Sequence, residues 1–173
     1  MTKSTVLTPN RFRFMAVVGL SVTMIAEGRE SPTCALANRQ IESCIKRVAS
    51  RLKGIEYCEF RSYARGDVDG DHQDDLVVLF HVEGPGGGGN NNLSFLALFG
   101  SRIPKTPAIQ QIGERGKRTP VEVTIAGTRI AVSFDVWNAN DAMCCPSEDA
   151  ESEFALEGNR LTEAAKARAP SER

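Results

Sequence analysis

Five aspartates stand within nine consecutive positions of the segment GDVDGDHQDDLVVLF, residues 66–80, and apolar residues follow at once. With Asp67 counted as position 1, Asp69, Asp71 and Asp75 occupy positions 3, 5 and 9. Calcium binds about six to eight oxygen atoms, and a tight loop supplies them from alternate positions. Four converging carboxylates repel one another unless a cation lies between them. The spacing therefore predicts a calcium site whose ligands are Asp67, Asp69, Asp71, the backbone carbonyl of Gln73 at position 7, and Asp75.

Two other interpretations of this segment are less well supported. A helix-loop-helix calcium hand needs a bidentate glutamate at position 12, where this chain has Val78, and a helix rather than an apolar strand after the loop. A simple acidic turn between two strands would explain Asp69-Gly70, because turns favour both residue types. It would not explain carboxylates at positions 1, 3, 5 and 9, so we prefer the calcium loop.

The same segment resembles the calcium loops of FG-GAP and VCBS-type β repeats, in which the pattern D-x-[DN]-G-D-G-x-x-D-L leads into an apolar strand. The residues that match are Asp67, Asp69, Gly70, Asp71, Asp75 and Leu76. His72 stands where the repeats have glycine, at a position that needs a left-handed backbone, which histidine adopts less readily. The resemblance implies a calcium loop of reduced affinity. It does not imply a propeller, because the pattern occurs once.

A second unusual segment, NDAMCCPSED, covers residues 140–149 and contains the adjacent cysteines Cys144 and Cys145. Adjacent cysteines either close on each other in an eight-membered ring or bond to partners elsewhere. Redox catalysis is a weaker interpretation, because thiol-exchange enzymes use C-x-x-C at a helix start, where the helix dipole lowers the thiol pKa. The pattern Met143-Cys144-Cys145-Pro146 indicates no such helix.

Together the two segments resemble a family of small exported bacterial proteins with no assigned activity. Its members have an N-terminal helix, a GD-x-[DN]-GD loop that leads into a strand, and a D-x-x-C-C-P-S segment late in the chain. Residues 67–76 and 141–147 match these two patterns in the same order. The resemblance implies a fold and an exported location, and it names no reaction.

The five cysteines indicate an oxidising compartment. Cys34 and Cys44 would lie about 15 Å apart along one helix, too far for a disulfide. An extended return of the chain after the helix brings Cys58 back to the level of Cys44. We therefore predict a Cys44–Cys58 disulfide that fixes the helix to the sheet. For the remaining cysteines we prefer a Cys144–Cys145 ring with Cys34 free, and the alternative is a bond from Cys34 to one of that pair.

The elements that position these residues follow from the apolar pattern. Ser31-Pro32 predicts a helix start and Gly54 its C-terminal cap, with apolar residues at helical spacing between them: Ile41, Ile45, Val48 and Leu52. Later segments predict strands, of which the first two are apolar on both faces and the next two form a hairpin: residues 76–82, 93–99, 121–125, 130–136 and 154–156. The chain therefore predicts an α+β domain, with one N-terminal amphipathic helix packed on an antiparallel meander sheet.

The first 28 residues have the layout of a secretory signal peptide. Basic residues precede an uncharged apolar run from Phe14 to Ala26, and Ala26-Glu27-Gly28 follows as a small-x-small cleavage pattern. The run is shorter than the roughly 20 residues of a membrane span. We expect a signal peptide over residues 1–28, a single α+β domain over 29–161 and a flexible C-terminal tail over 162–173. The mature protein would be periplasmic or secreted, without a membrane span.

Charge and composition argue against several functions. The formal net charge is −1, and loss of three basic residues and one acidic residue with the signal peptide takes it to −3. This gives no reason to expect nucleic acid as a partner. No nucleophile motif is present, and His81, one of two histidines, shares a strand face with Val77 and Leu79 and is expected in the core.

The sequence therefore predicts an exported calcium-binding structural or interaction module without catalytic activity. Its partner would be an unidentified envelope protein or a glycan. Two alternatives stay open: a periplasmic thiol/disulfide protein that uses the adjacent cysteines, and a calcium-assisted hydrolase.

Overall fold

The computed structural model describes residues 38–100 and 106–164, which form one helix followed by nine strands. The helix α1 is Arg39–Leu52. The strands are β1 Ile55–Glu56, β2 Ser62–Gly66, β3 Asp75–Glu83, β4 Asn92–Phe99, β5 Ala108–Glu114, β6 Arg118–Ala126, β7 Arg129–Val136, β8 Glu148–Glu157 and β9 Arg160–Ala164, with a short 3-10 turn at Cys58–Phe60 between β1 and β2. The predicted α+β class, with one helix packed on an antiparallel sheet, is confirmed.

The strands form one meander that folds over on itself. Their order is β1-β3-β4-β5-β6-β7-β8-β9, with β2 also paired to β3, and all pairs are antiparallel. Strands β5 and β6 are paired only at Glu114 and Arg118, so they separate beyond their turn. Because of this separation, side chains of β3 and β4 pack against side chains of β7 and β8 in one core.

Strand β3 is buried on both faces, and its alternate residues enter two different cores. Val77 and Leu79 lie in the core between the two halves of the sheet. Val78 and Phe80 lie in a second core, against Ile45 and its neighbours on the helix. A strand between two apolar layers has to be apolar at every position, which explains the continuous apolar run after the aspartates.

The helix is amphipathic as predicted, although its ends differ from the prediction. It begins at Arg39, because the side chain of Asn38 accepts a hydrogen bond from the amide of Gln40 at 3.0 Å and serves as N-cap. The predicted start at Ser31-Pro32 lies outside the described residues. At the other end Lys53, not Gly54, adopts the left-handed capping conformation, with φ 53°. Gly54 is needed for another reason, since a Cβ there would collide with the backbone of Glu83.

The predicted Cys44–Cys58 disulfide is not formed. Cys44 is a free thiol buried on the helix, and burial raises its pKa. Cys58 is disulfide-bonded, and since Cys44 is free the two are not joined. The prediction assumed an extended return of four residues, whereas β1 ends at Glu56 and the chain then turns at Cys58–Phe60. The predicted free or bonded state of Cys34 lies outside the described residues.

An arginine links the helix to the sheet where a disulfide was predicted. Arg61 donates from Nε and Nη2 to the two carboxylate oxygens of Glu56 on β1, at 2.6 Å each. It also donates from Nη1 and Nη2 to the carboxylate of Glu42 on α1, at 2.5 and 3.1 Å. The Arg61 side chain is only 2% exposed. No local sequence pattern identifies this arginine, because its partners on α1 and β1 follow from the packing of the helix on the sheet.

The C-terminal part of the sheet extends beyond the predicted domain end at residue 161. Strand β8 has ten residues, in place of the predicted short strand at 154–156. Strand β9 continues to Ala164, which pairs with Glu153. The described residues belong to one compact unit. None of their helices is long and apolar enough to span a membrane. The predicted signal peptide lies outside the described residues, as do residues 165–173 of the predicted tail.

Candidate metal centre and the cysteine loop

The aspartate loop connects β2 to β3. Its base is fixed by the antiparallel pair Gly66 and Asp75. A Cβ at Gly66 would lie 2.8 Å from a methyl carbon of Ile125 on β6, so the glycine permits close packing of the loop base on the second half of the sheet. Within the loop Gly70 and His72 have left-handed backbones, with φ 76° and 64°. The strained conformation expected at His72 is therefore confirmed.

Three aspartates converge in this loop. One carboxylate oxygen from each of Asp67, Asp69 and Asp71 lies within 4.8 Å of the other two. Backbone amides hold these side chains: Asp67 Oδ1 accepts from Gly70 and Asp71 at 2.7 and 3.0 Å, and its Oδ2 accepts from His72 at 2.9 Å. Asp69 Oδ1 accepts from the Asp71 amide at 3.1 Å. All of these contacts are local, so the loop sequence itself places the three carboxylates.

Asp75 does not belong to this cluster and has a different role. It is 1% exposed, and its Oδ2 accepts hydrogen bonds from the amides of Val68 and Asp69 at 2.9 and 3.2 Å. Burial raises the pKa of Asp75, the two amides oppose this rise, and the charges of Asp69 and Asp71 add to it. Two buried carboxylate oxygens, Asp75 Oδ1 and Asp69 Oδ2, have no hydrogen-bond partner among the described residues.

Of the five predicted ligands, the structure thus brings together Asp67, Asp69 and Asp71. Gln73 is exposed, and its amide donates to Asp71 Oδ1 at 2.8 Å. No described contact brings its carbonyl to the cluster. The three clustered groups offer only carboxylate oxygen atoms, which suits a hard cation better than a metal that prefers nitrogen or sulfur.

The adjacent cysteines lie in the loop between β7 and β8. Cys144 and Cys145 are bonded to each other, as preferred in the sequence analysis, and both are exposed. One carboxylate oxygen organises this loop: Asp141 Oδ2 accepts from the amide of Asn138 at 2.7 Å, and from the amide and hydroxyl of Ser147 at 3.0 and 2.9 Å. Hydrogen bonds from Asn138 and then Ser147 hold the pKa of Asp141 below its ordinary value.

His81 is a core residue, as the strand pattern predicts. It is 3% exposed, its Nδ1 lies 3.1 Å from Ser94 Oγ, and the ring of Phe60 packs 5.3 Å from its own. Burial lowers its pKa to about 4, so the ring is neutral at pH 7. A neutral, enclosed imidazole gives no support to a role as general base on a substrate in solution.

No match to the chain was found among protein-family models, curated proteins or solved structures. The similarity to FG-GAP and VCBS-type loops and to exported D-x-x-C-C-P-S proteins therefore depends on residues 67–76 and 141–147 alone. The function has to be inferred from the geometry of the two loops.

Proposed function

We propose that the loop of residues 67–75 binds one calcium ion, and that the protein is an exported, calcium-stabilised structural or interaction module without catalytic activity. The observation that carries the proposal is the convergence of oxygen atoms from Asp67, Asp69 and Asp71 within 4.8 Å. In the same loop, Asp69 Oδ2 and Asp75 Oδ1 are buried without a hydrogen-bond partner among the described residues.

Electrostatics favours a cation in this loop. A buried carboxylate oxygen without a partner costs free energy, because water solvates the charge better than an apolar surrounding does. The negative charges of Asp69 and Asp71 add to this cost at Asp75, where they raise the pKa of the carboxyl group. A bound cation would satisfy the open oxygens and cancel the repulsion at the same time.

Calcium fits this set of ligands better than the common alternatives. Zinc prefers cysteine and histidine, and the cluster contains neither. Magnesium requires a near-ideal octahedron, keeps several waters and takes one or two carboxylates as a rule. Calcium accepts several carboxylates in an irregular geometry, and extracellular modules bind it with affinities of roughly 10⁻⁴–10⁻³ M. Such weak binding agrees with the strained backbone at His72.

A structural role is supported by where the loop lies. It leads directly into β3, which contributes side chains to both cores. An ion that orders the loop would therefore stabilise the strand on which the rest of the fold packs. The export part of the proposal is supported by the apolar run Phe14 to Ala26, by the small-x-small pattern and by the disulfides. We propose an envelope protein or a glycan as the partner.

Thermal unfolding of the purified mature protein in chelator and in calcium tests the proposal. Calcium at 100 times its dissociation constant should stabilise the protein by about 2.7 kcal/mol, because it binds the native loop and not the unfolded chain. Asp71→Asn should abolish the shift in melting temperature, since it removes one clustered carboxylate. Asp74→Asn is the matched control: Asp74 is exposed and outside the cluster, and its loss should leave the shift intact.

Two outcomes would contradict the proposal. One is a wild-type melting curve that is the same in chelator and in about 0.1 M calcium, which is 100 times the weakest dissociation constant expected. The other is an equal loss of the shift in Asp71→Asn and Asp74→Asn, because calcium would then respond only to the total charge of the loop. A parallel titration with magnesium distinguishes specific calcium binding from screening of the loop's negative charge. Screening would give the same shift in melting temperature with both ions.

A further inference from the structure

We propose that the Cys144–Cys145 disulfide is a reversible thiol–disulfide exchange site, which a dithiol reductant opens and an oxidant closes while the domain stays folded. The proposal concerns the loop between β7 and β8 and does not depend on the calcium loop.

This disulfide contributes little as a structural cross-link. A disulfide stabilises a protein mainly by restricting the unfolded chain, and the effect grows with the number of residues in the closed loop. A bond between neighbours in sequence closes the smallest ring that two cysteines can form. The bond therefore restricts the unfolded chain very little, and a purely structural role does not explain it.

Both sulfurs are open to attack. Exchange requires that a thiolate reach a disulfide sulfur, so its rate depends on access. Cys144 and Cys145 are exposed, whereas Cys44 is buried within the fold. Exposed disulfides are typically the labile ones with a regulatory or catalytic role. Among the described cysteines, the adjacent pair is thus the preferred target of a thiol in solution.

The loop has a framework that does not need the disulfide. Asp141 joins Asn138 to Ser147 across the base of the loop through three hydrogen bonds. The indole of Trp137 donates to the carbonyl of Ala142 at 3.2 Å, and the amide of Cys145 donates to the same carbonyl at 2.9 Å. Reduction breaks none of these contacts, so we expect the loop to keep its position when the ring opens.

The residue that precedes the ring packs on a neighbouring turn. Met143, which precedes the pair, packs on Gly116 in the turn between β5 and β6: its Cε lies 3.1 Å from the position a Cβ of Gly116 would take. Arg115 and Lys117 flank that glycine. Lys117 is paired with Glu114 at 2.7 Å, and Arg115 donates to the carbonyl of Asn90. The contact of Met143 with this turn involves neither cysteine sulfur, so it should also persist when the ring opens.

The exchange is balanced with a dithiol as reductant. Its thiolate attacks one cysteine sulfur, the Cys144–Cys145 bond breaks, and the other cysteine leaves as a thiolate that takes a proton from water. The second thiolate of the reductant then attacks the mixed disulfide and releases the first cysteine. Two electrons and two protons pass to the protein, and the dithiol becomes a cyclic disulfide.

Alkylation of the folded protein tests the proposal. The mature chain is treated with dithiothreitol, quenched with iodoacetamide at intervals and analysed by peptide mass. Cys144 and Cys145 should become alkylated at least about tenfold faster than Cys58, because they are the exposed sulfurs. Cys44 serves as an internal control, since its buried thiol becomes reactive only when the helix leaves the sheet. Oxidised glutathione added after removal of the reductant should restore the ring.

A variant with one cysteine of the pair replaced tests the reactivity of the other sulfur apart from its exposure. In Cys145→Ser, Cys144 has no neighbour to close on, so it should accumulate a mixed disulfide with glutathione that the wild type does not retain. The proposal is overturned if the pair is reduced no faster than Cys44 is alkylated, because the disulfide would then open only with the fold. It is also overturned if Cys144 in the variant forms no mixed disulfide.

Discussion

The carboxylate of Asp141 accepts hydrogen bonds from both the amide and the hydroxyl of Ser147, at 3.0 and 2.9 Å. These two residues are the first and last of the D-x-x-C-C-P-S segment. The same oxygen accepts from the amide of Asn138 at 2.7 Å. The segment is therefore a loop closed by one carboxylate oxygen, with the two cysteines enclosed between its ends. This closure gives a physical reason for an acid and a serine on either side of the cysteine pair.

Replacing Asp141 should loosen the cysteine loop and leave the rest of the domain intact. Asp141→Ala removes three hydrogen bonds at once, so the amides of Asn138 and Ser147 should exchange with deuterium much faster. Ser147→Ala is the matched control: it removes the two hydrogen bonds of the hydroxyl, to Asp141 Oδ2 and from Asn138 Nδ2, but keeps both amide bonds to Asp141, so it should have a smaller effect on amide exchange. Unchanged protection of both amides in Asp141→Ala would show that the loop is held by other contacts.

Removing Arg61 should strongly destabilise the protein. Arg61→Ala leaves the carboxylates of Glu42 and Glu56 without their shared partner. Breaking a fully buried ion pair costs about 3–5 kcal/mol, and the loss here should be smaller because the Glu42 side chain is 37% exposed. Arg61→Lys should recover part of the loss, since an ammonium group keeps the charge but cannot bridge two carboxylates in the same way. Urea unfolding measures both changes.

The surface pair of Lys117 and Glu114 provides the control for Arg61. Its lysine side chain is largely exposed, and removal of an exposed ion pair changes stability by about 0–1 kcal/mol. A loss in Arg61→Ala as small as that in Lys117→Ala would mean that Arg61 does not fix the helix to the sheet.

The buried His81 should make the protein less stable as the pH falls below 6.5. Its pKa is lowered from 6.5 to about 4 in the folded state, so between these values the unfolded chain binds a proton that the folded chain does not. The contribution of His81 to the free energy of unfolding is therefore fully present above pH 6.5. It is lost as the pH falls towards 4, by roughly 3 kcal/mol in total. Urea unfolding at several pH values should show this loss.

A histidine variant isolates this contribution. His81→Asn cannot titrate at this position, and its stability should depend less on pH over the same interval. Equal pH profiles for wild type and His81→Asn would contradict the prediction.

Glycine at position 72 should stabilise the loop, and glycine at position 73 should not. His72 has φ 64°, a left-handed conformation that costs a non-glycine residue about 1–2 kcal/mol. His72→Gly removes this cost but adds flexibility to the unfolded chain, worth roughly 0.5–1 kcal/mol, so a small gain should remain. Gln73→Gly adds flexibility without relief of strain and should lower stability. Unfolding in chelator compares the two, and a loss in both variants would contradict the prediction.

The sequence by itself determined the local features. Spacing within nine residues was enough to predict that aspartates meet in the loop, because backbone amides of the same segment hold Asp67, Asp69 and Asp71. The left-handed position of His72 and the Cys144–Cys145 ring depend on equally short stretches. The continuous apolar run of β3 predicted a strand covered on both faces, since such a strand has no polar face to show to water.

Only the tertiary structure decided which distant groups meet. Asp75 fits the ligand spacing, yet its side chain is buried and engaged by the amides of Val68 and Asp69. Arg61 and Glu42 are 19 residues apart in the chain, and they meet because the helix lies on the sheet in one particular register. That register also leaves Cys44 unbonded. Periodicity encodes which face of an element is apolar, whereas the register between two packed faces depends on how all their side chains fit together.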